Sequence, residues 1–149
     1  MFHAVVRAKL RRAFADINAG AYDRIVAGFL PKHEHVFPGD HPLAGERHSL
    51  EATRRWYGRL AELLPDLQFR IRRIVVGGWP WDTSAVVEWT DHFTVGGEPR
   101  SNQGVHVIGL RWGKVTRLAV YCDTQKLAEV CRDKARLGLA AAAAEPIAD

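Results

Sequence analysis

The stretch from Val86 to Leu110 constrains this chain most. It opens with Val86-Val87-Glu88-Trp89-Thr90-Asp91-His92-Phe93-Thr94-Val95, passes through Gly96-Gly97, and continues as a second run to Leu110. Two alternating runs joined by two glycines read as one β-hairpin. A strand sends alternate residues to the same face, so Val87, Trp89, Asp91 and Phe93 share one face and Glu88, Thr90 and His92 take the other. A two-residue turn sets Asp91 opposite Asn102, and His106 lies two same-face steps beyond Asn102. A lone carboxylate in an apolar, aromatic row has to be hydrogen-bonded, protonated or beside a cavity. Carboxylate, amide and imidazole on one apolar face are the makings of an acid/base site. A β-bulge before Gly96 would undo this reading, turning Asp91 outward and bringing Glu88 or His92 inward.

Around the hairpin, the periodicities give an order of helices, strand, helix and then a meander. Val5/Val6, Leu10, Phe14 and Ile17 form a helical stripe over 4–18, stopped by Gly20. A short helix is expected over 22–30, ended by Pro31, then a strand over 33–37 and a loop over 38–42. Ser49 caps a third helix running to Leu64. Strands are expected over 67–76, 84–95, 101–112 and 115–122, with Gly77 to Asp82 as a break. Asp123 or Thr124 then caps a last helix reaching Arg136. The expected architecture is a single α+β domain over 1–136, with helices on one face of a curved antiparallel sheet around an apolar pocket. The alanine-rich tail, 137–149, is helical or frayed and carries no assigned role.

Composition excludes more than it assigns. The chain has 149 residues, enough for one sizeable core. No apolar run reaches membrane-spanning length, and arginines interrupt the first residues before a signal sequence forms, so the expectation is a cytoplasmic protein without membrane contact. The net charge is +4, but Arg11-Arg12, Arg54-Arg55 and Arg72-Arg73 fall in three separate elements. They read as solvated faces rather than a nucleic-acid stripe. Cys122 and Cys131 form no CxxC pair and read as free thiols. His33-x-His35, with His41 and His48 downstream, invites a metal reading, but no third ligand has a fixed spacing, so no metal is assigned.

Short segments along nearly the whole chain carry a resemblance. They are Ile17-Asn18-Ala19-Gly20 with Asp23-Arg24-Ile25-Val26, Pro42-Leu43-Ala44-Gly45, Leu64-Pro65-Asp66-Leu67, Gly113-Lys114-Val115 and Tyr121-Cys122-Asp123. In this order they resemble the nuclear transport factor 2-like superfamily, in its ketosteroid-isomerase-like and SnoaL-like subgroups. The resemblance implies a cone: a curved antiparallel sheet and three helices around an apolar pocket. It implies isomerases, polyketide cyclases, epoxide hydrolases, dehydratases or non-catalytic binding proteins, mostly working without metals. Fold alone does not choose among these. The departures are specific. Where ketosteroid isomerases carry an Asp-Pro with the general base, this chain has Phe37-Pro38. Their helix-one tyrosine falls at Ala13 or Phe14, and their oxyanion-binding aspartate at His106. The last-strand aspartate of SnoaL-like cyclases and limonene epoxide hydrolases falls at Val120.

The candidates follow. Asp91 is a general base raised in pKa by Trp89 and Phe93, or a structural carboxylate bonded at a strand end. His106 donates to a developing oxyanion, or is a satisfied core histidine. Asn102 orients Asp91, or forms a cross-strand polar pair. Trp89, Phe93, Phe37, Phe14, Val120 and Trp56 are expected to wall a substrate pocket, with Asp40 and His41 at its mouth or simply in a turn. Exposed tryptophans around Gly77 to Trp81 would mark a dimer contact. The expected function is cofactor-independent acid/base catalysis on a small hydrophobic molecule by a homodimer, of isomerase, cyclase or epoxide-hydrolase type. The alternatives are a binding protein or a dimerisation module of the same fold.

Overall fold

The computed structural model describes residues 1–149. Its elements are α1 (Phe2–Asn18), α2 (Tyr22–Val26), β1 (Phe29–Phe37), β2 (Gly45–Arg47), α3 (Leu50–Leu63), β3 (Gln68–Trp79), β4 (Asp82–Val95), β5 (Glu98–Arg111), β6 (Lys114–Cys122), α4 (Thr124–Arg136) and a 3₁₀ turn over Ala140–Ala143. The six strands make one sheet in the order β2-β1-β6-β5-β4-β3. All neighbours are antiparallel except β1 and β6, which run parallel. The sheet is therefore mixed rather than purely antiparallel. Register shifts at Ile71/Arg73 and Gly109/Leu110 add the local bend that curves it.

α1, α3 and α4 lie against β3, β1 and β4, and these three form the helical cover. Each buries one stripe: Val6, Leu10, Phe14 and Ile17 from α1; Trp56, Tyr57, Leu60 and Leu63 from α3; Leu127 and Val130 from α4. Ser49 Oγ accepts from Ala52 N–H and Asp123 Oδ1 from Lys126 N–H, each at 3.1 Å, so both helix caps form. α2 is a fourth helix, of five residues. No helix is long and apolar enough to cross a membrane.

Three local expectations are corrected. The helix expected to reach Leu30 ends at Val26, and β1 begins at Phe29 and runs through Pro31. Proline is tolerated there because the β1–β6 register shifts between Phe29 and Glu34, where a ladder donor is not needed. Gly77 and Gly78 extend β3 rather than break it. Gly78 sits at φ +87°, and a Cβ on it would meet the Asp82 carbonyl oxygen at 2.2 Å, so that close strand approach requires glycine. The C-terminal segment is docked, not frayed. Ala142 and Ile147 are buried, and Arg59 Nη1 donates to the Glu145 carbonyl.

That docking rests on Arg47 of β2, which is fully buried. Its guanidinium donates to the carbonyls of Ala44 (3.1 Å), Gly45 (3.1 Å) and Ile147 (2.7 Å) and to His35 Nδ1 (2.8 Å). It also lies 5.4 Å from the Trp56 ring centroid. Carbonyls, not a carboxylate, satisfy this charge. Burial lowers the Arg47 pKa to about 10, so the group stays cationic at neutral pH.

Candidate functional site

The β4–β5 ladder runs without a register shift from Thr83↔Leu110 to Val95↔Glu98. With no bulge, every odd-numbered residue from Thr83 to Val95 faces inward and is buried. Asp91 pairs with Asn102, and Val87 with His106. Asp91, Asn102 and His106 all line one apolar cavity, together with Trp89, Phe93, Phe37, Trp56 and Val120. Its volume is about 50 Å³, room for a few waters. A second cavity of about 210 Å³ lies under α1, where Phe14 lines it. The two share Ile17, Tyr57 and His106 in their walls.

Asp91 is 7% exposed, and its Oδ1 accepts from the Asn102 backbone N–H at 2.7 Å. Burial raises its pKa from the ordinary 3.8 to about 6, against the opposing pull of that N–H. Its Oδ2 makes no hydrogen bond within the chain. The Asn102 amide is spent locally: Nδ2 donates to the Asp123 carbonyl (3.0 Å) and Oδ1 accepts from Gln103 N–H (2.8 Å). Asn102 thus holds Asp91 through its backbone, while its side chain ties β5 to the start of α4.

His106 is held by an indole. Trp89 Nε1–H donates to His106 Nδ1 at 2.8 Å, which leaves the ring proton on Nε2. Phe14 packs edge-on at 5.1 Å and Phe69 at 5.8 Å. Burial in this aromatic cage lowers the His106 pKa to about 3, so the imidazole is neutral at ordinary pH. Nε2–H has no partner within the chain. At ~3.3 Å per residue, the four positions from Val87 to Asp91 place Asp91 about 13 Å along the strand from His106. The two groups share a cavity wall but cannot pass a proton directly.

Some expected residues lie elsewhere. His41 is buried edge-on against Phe37, and both its nitrogens are used, by the Pro38 carbonyl (3.0 Å) and Leu43 N–H (3.2 Å). Asp40 is exposed, and with His41 it lines a separate shallow depression against the C-terminal segment. The loop holds them away from the cavity, with the His41 ring tied to the Pro38 carbonyl. His33 and His35 share a face, but His33 Nε2 meets Thr53 Oγ1 (2.7 Å) and His35 Nδ1 meets Arg47. No group of three or more His, Cys, Asp or Glu side chains is placed to hold a metal ion. Burial holds the Cys122 thiol at about 12, so it lines the cavity as a small apolar group rather than a nucleophile.

Sequence reasoning missed Tyr57, which lines both cavities. Its hydroxyl makes no hydrogen bond within the chain, and burial raises its pKa. The signal was the α3 spacing Thr53, Tyr57, Leu60, Leu64, a second inward stripe beside Trp56. Phe69 was missed because β3 bulges two residues later.

A curved α+β cone with one apolar interior defines a nuclear transport factor 2-like protein. Residues 10–118 match the SnoaL-like domain, and the chain belongs to that family. No curated protein matches the sequence. Among solved structures, TerC co-crystallised with polyporic acid is 21% identical, with a TM-score of 0.68 over 79% of this chain and 91% of that one. Bal32a, from a soil-derived mobile gene cassette, is 17% identical, with a TM-score of 0.71 over 83% and 94%. A nuclear transport factor 2-like protein of unknown function from Burkholderia pseudomallei is also 17% identical, with a TM-score of 0.71 over 83% and 95%. At these identities they establish the fold.

The raised Asp91 pKa has a stability consequence. The native state binds this proton more tightly than the unfolded chain, so stability falls as pH rises from about 4 to about 6. Asp91→Asn keeps an acceptor for Asn102 N–H and removes the charge. Urea unfolding should find the variant more stable by about 3 kcal/mol at pH 7.5 and no different at about pH 3. A variant less stable than the parent at pH 7.5 would contradict this placement of the carboxylate.

Proposed function

We propose that the protein is a cofactor-independent acid/base enzyme acting on a small hydrophobic carbonyl compound. The carrying observation is the pairing, on one apolar wall, of a carboxylate with raised proton affinity and a neutral imidazole whose Nε2–H is free. Asp91 Oδ2 takes a proton from carbon, the C–H electron pair moves into the conjugated carbonyl, and the oxygen gains negative charge. His106 Nε2–H donates a hydrogen bond to that oxygen, and Asp91 returns the proton at a second position. Isomerisation or ring closure by carbon attack both begin this way. The separation of the two groups favours an extended, conjugated substrate that reaches both. Seating a ring between them requires movement of Phe69 and Trp89, whose rings meet edge to face at 4.7 Å. The structure of TerC with polyporic acid supports small-molecule binding within this fold.

A simple probe of Asp91, which needs no contact with His106, is exchange of the C1 protons of 2-tetralone in D₂O, followed by proton NMR. The protein should accelerate exchange, with a rate that rises through a midpoint near pH 6 and levels above pH 7. Asp91→Asn should lower the rate by roughly 100-fold while remaining folded. Unchanged exchange in that variant would overturn catalysis by Asp91. The second reading, a binding protein without chemistry, draws on the small inner cavity and on Asp91 Oδ1 being spent on Asn102 N–H. It expects bound 2-tetralone and no exchange.

A homodimer is part of the proposal. Trp79, Trp81 and Trp112 are exposed at the tips of the β3–β4 and β5–β6 turns, and Trp79 and Trp81 stack at 6.0 Å. Exposed aromatic clusters favour interfaces. Sedimentation should give twice the 16.7 kDa chain mass, and Trp79→Ser with Trp81→Ser should shift it towards monomer. A monomeric parent would remove the dimer from the account.

A further inference from the structure

The larger cavity, under α1, has a chemistry that the reaction above does not use. Its inner end is Ile17, Tyr57 and His106, the wall it shares with the smaller cavity. Its outer end opens to solvent past Lys9, Arg12, Arg24 and Asp16. Arg24 is paired with Asp16 at 3.3 Å. Arg12 has no acidic partner, and Lys9 Nζ is satisfied only by the Gly113 carbonyl. Lys114 adds a further cation close enough to act on Lys9, with its own Nζ bonded to the Ala27 carbonyl at 3.0 Å. The mouth of this largely apolar cavity therefore carries two cations that no carboxylate neutralises. Such a pair attracts an anion, and more strongly than in bulk water because the low-dielectric wall focuses the field.

We propose that the ligand is an amphiphilic organic anion: an apolar ring system that enters under α1 and leaves a carboxylate or similar acidic group at Lys9 and Arg12. The rings then extend towards Tyr57 and His106. This inference rests on the reading of the apolar interior as a small-molecule site, and it adds the substrate's charge and its direction of entry. The acidic group is a handle rather than a reacting centre, because it lies at the outer end of the cavity under α1, which Asp91 does not line.

Two fluorescent probes with the same rings test this directly: 8-anilinonaphthalene-1-sulfonate, which is anionic, and N-phenyl-1-naphthylamine, which is neutral. Both bind the parent protein on this account. Lys9→Gln with Arg12→Gln should weaken the anionic probe at least fivefold and leave the neutral one unchanged. Both side chains are exposed, and a thermal melt checks that the fold persists. Ala13→Leu, which projects into the same cavity, should weaken both probes. Equal effects of the charge variant on the two probes, or no effect of Ala13→Leu, would overturn the proposal. A charge-selective site together with no Asp91-dependent proton exchange would sink the catalytic reading and leave this one standing.

Discussion

Everything at the site depends on the unbroken β4–β5 ladder. A strand has a period of two, so a single extra residue between Thr83 and Val95 would exchange the inner and outer rows. Trp89, Asp91 and Phe93 would then face solvent, and Glu88, Thr90 and His92 would enter the core. The ladder avoids this by holding its register from the β4 entry to the Gly96-Gly97 turn, where both glycines take positive φ (57° and 82°). The bulges that curve the sheet sit instead in β3 and at the β5–β6 junction, outside this ladder. Curvature and register are thereby assigned to different strands.

Within that frame, the interior treats its polar groups unequally. His33, His41 and the Asn102 amide are hydrogen-bonded to near neighbours. Arg47 is saturated by carbonyls and holds the C-terminal segment against β2. Three groups at the cavity walls keep unspent capacity: Asp91 Oδ2, His106 Nε2–H and the Tyr57 hydroxyl. Folding leaves such capacity only at a cost, because each group gives up most of its contact with bulk water without gaining a full protein partner. A core selected for stability alone would have filled these positions with apolar side chains. Their concentration around two cavities that share a wall, aromatic between them and cationic at the outer mouth, is the physical argument for a ligand. His35 Nε2 is the exception: it is buried without a partner, yet lines neither cavity.

The sequence made the hairpin legible because alternation and a Gly-Gly turn are local signals that pairing does not override. The two helix caps at Ser49 and Asp123 were legible for the same reason. Tertiary placement was not. The loop, with the His41 ring tied to the Pro38 carbonyl, holds Asp40 and His41 away from the pocket, and nothing in their composition distinguished a mouth loop from a closed turn. β2 is three residues long and carries Arg47 into its ring of carbonyls, which no periodicity announces. The separation of Asp91 from His106 follows from counting residues along the strand, but whether the two still share a cavity depends on how Trp89 and Phe69 pack. Tyr57 was hidden beside the bulkier Trp56 on a helix whose second inward stripe is otherwise Thr53 and leucines.

The central claim is that Asp91 is a carboxylate held in an apolar wall with its proton affinity raised. Its side-chain carboxyl carbon can be followed directly by carbon-13 NMR across a pH titration of the folded protein, using Asp91→Asn to assign the signal. The account predicts a titration midpoint near pH 6. A midpoint at or below the ordinary 3.8 would mean a solvated or ion-paired carboxylate, and the acid/base reading of this interior would fall with it.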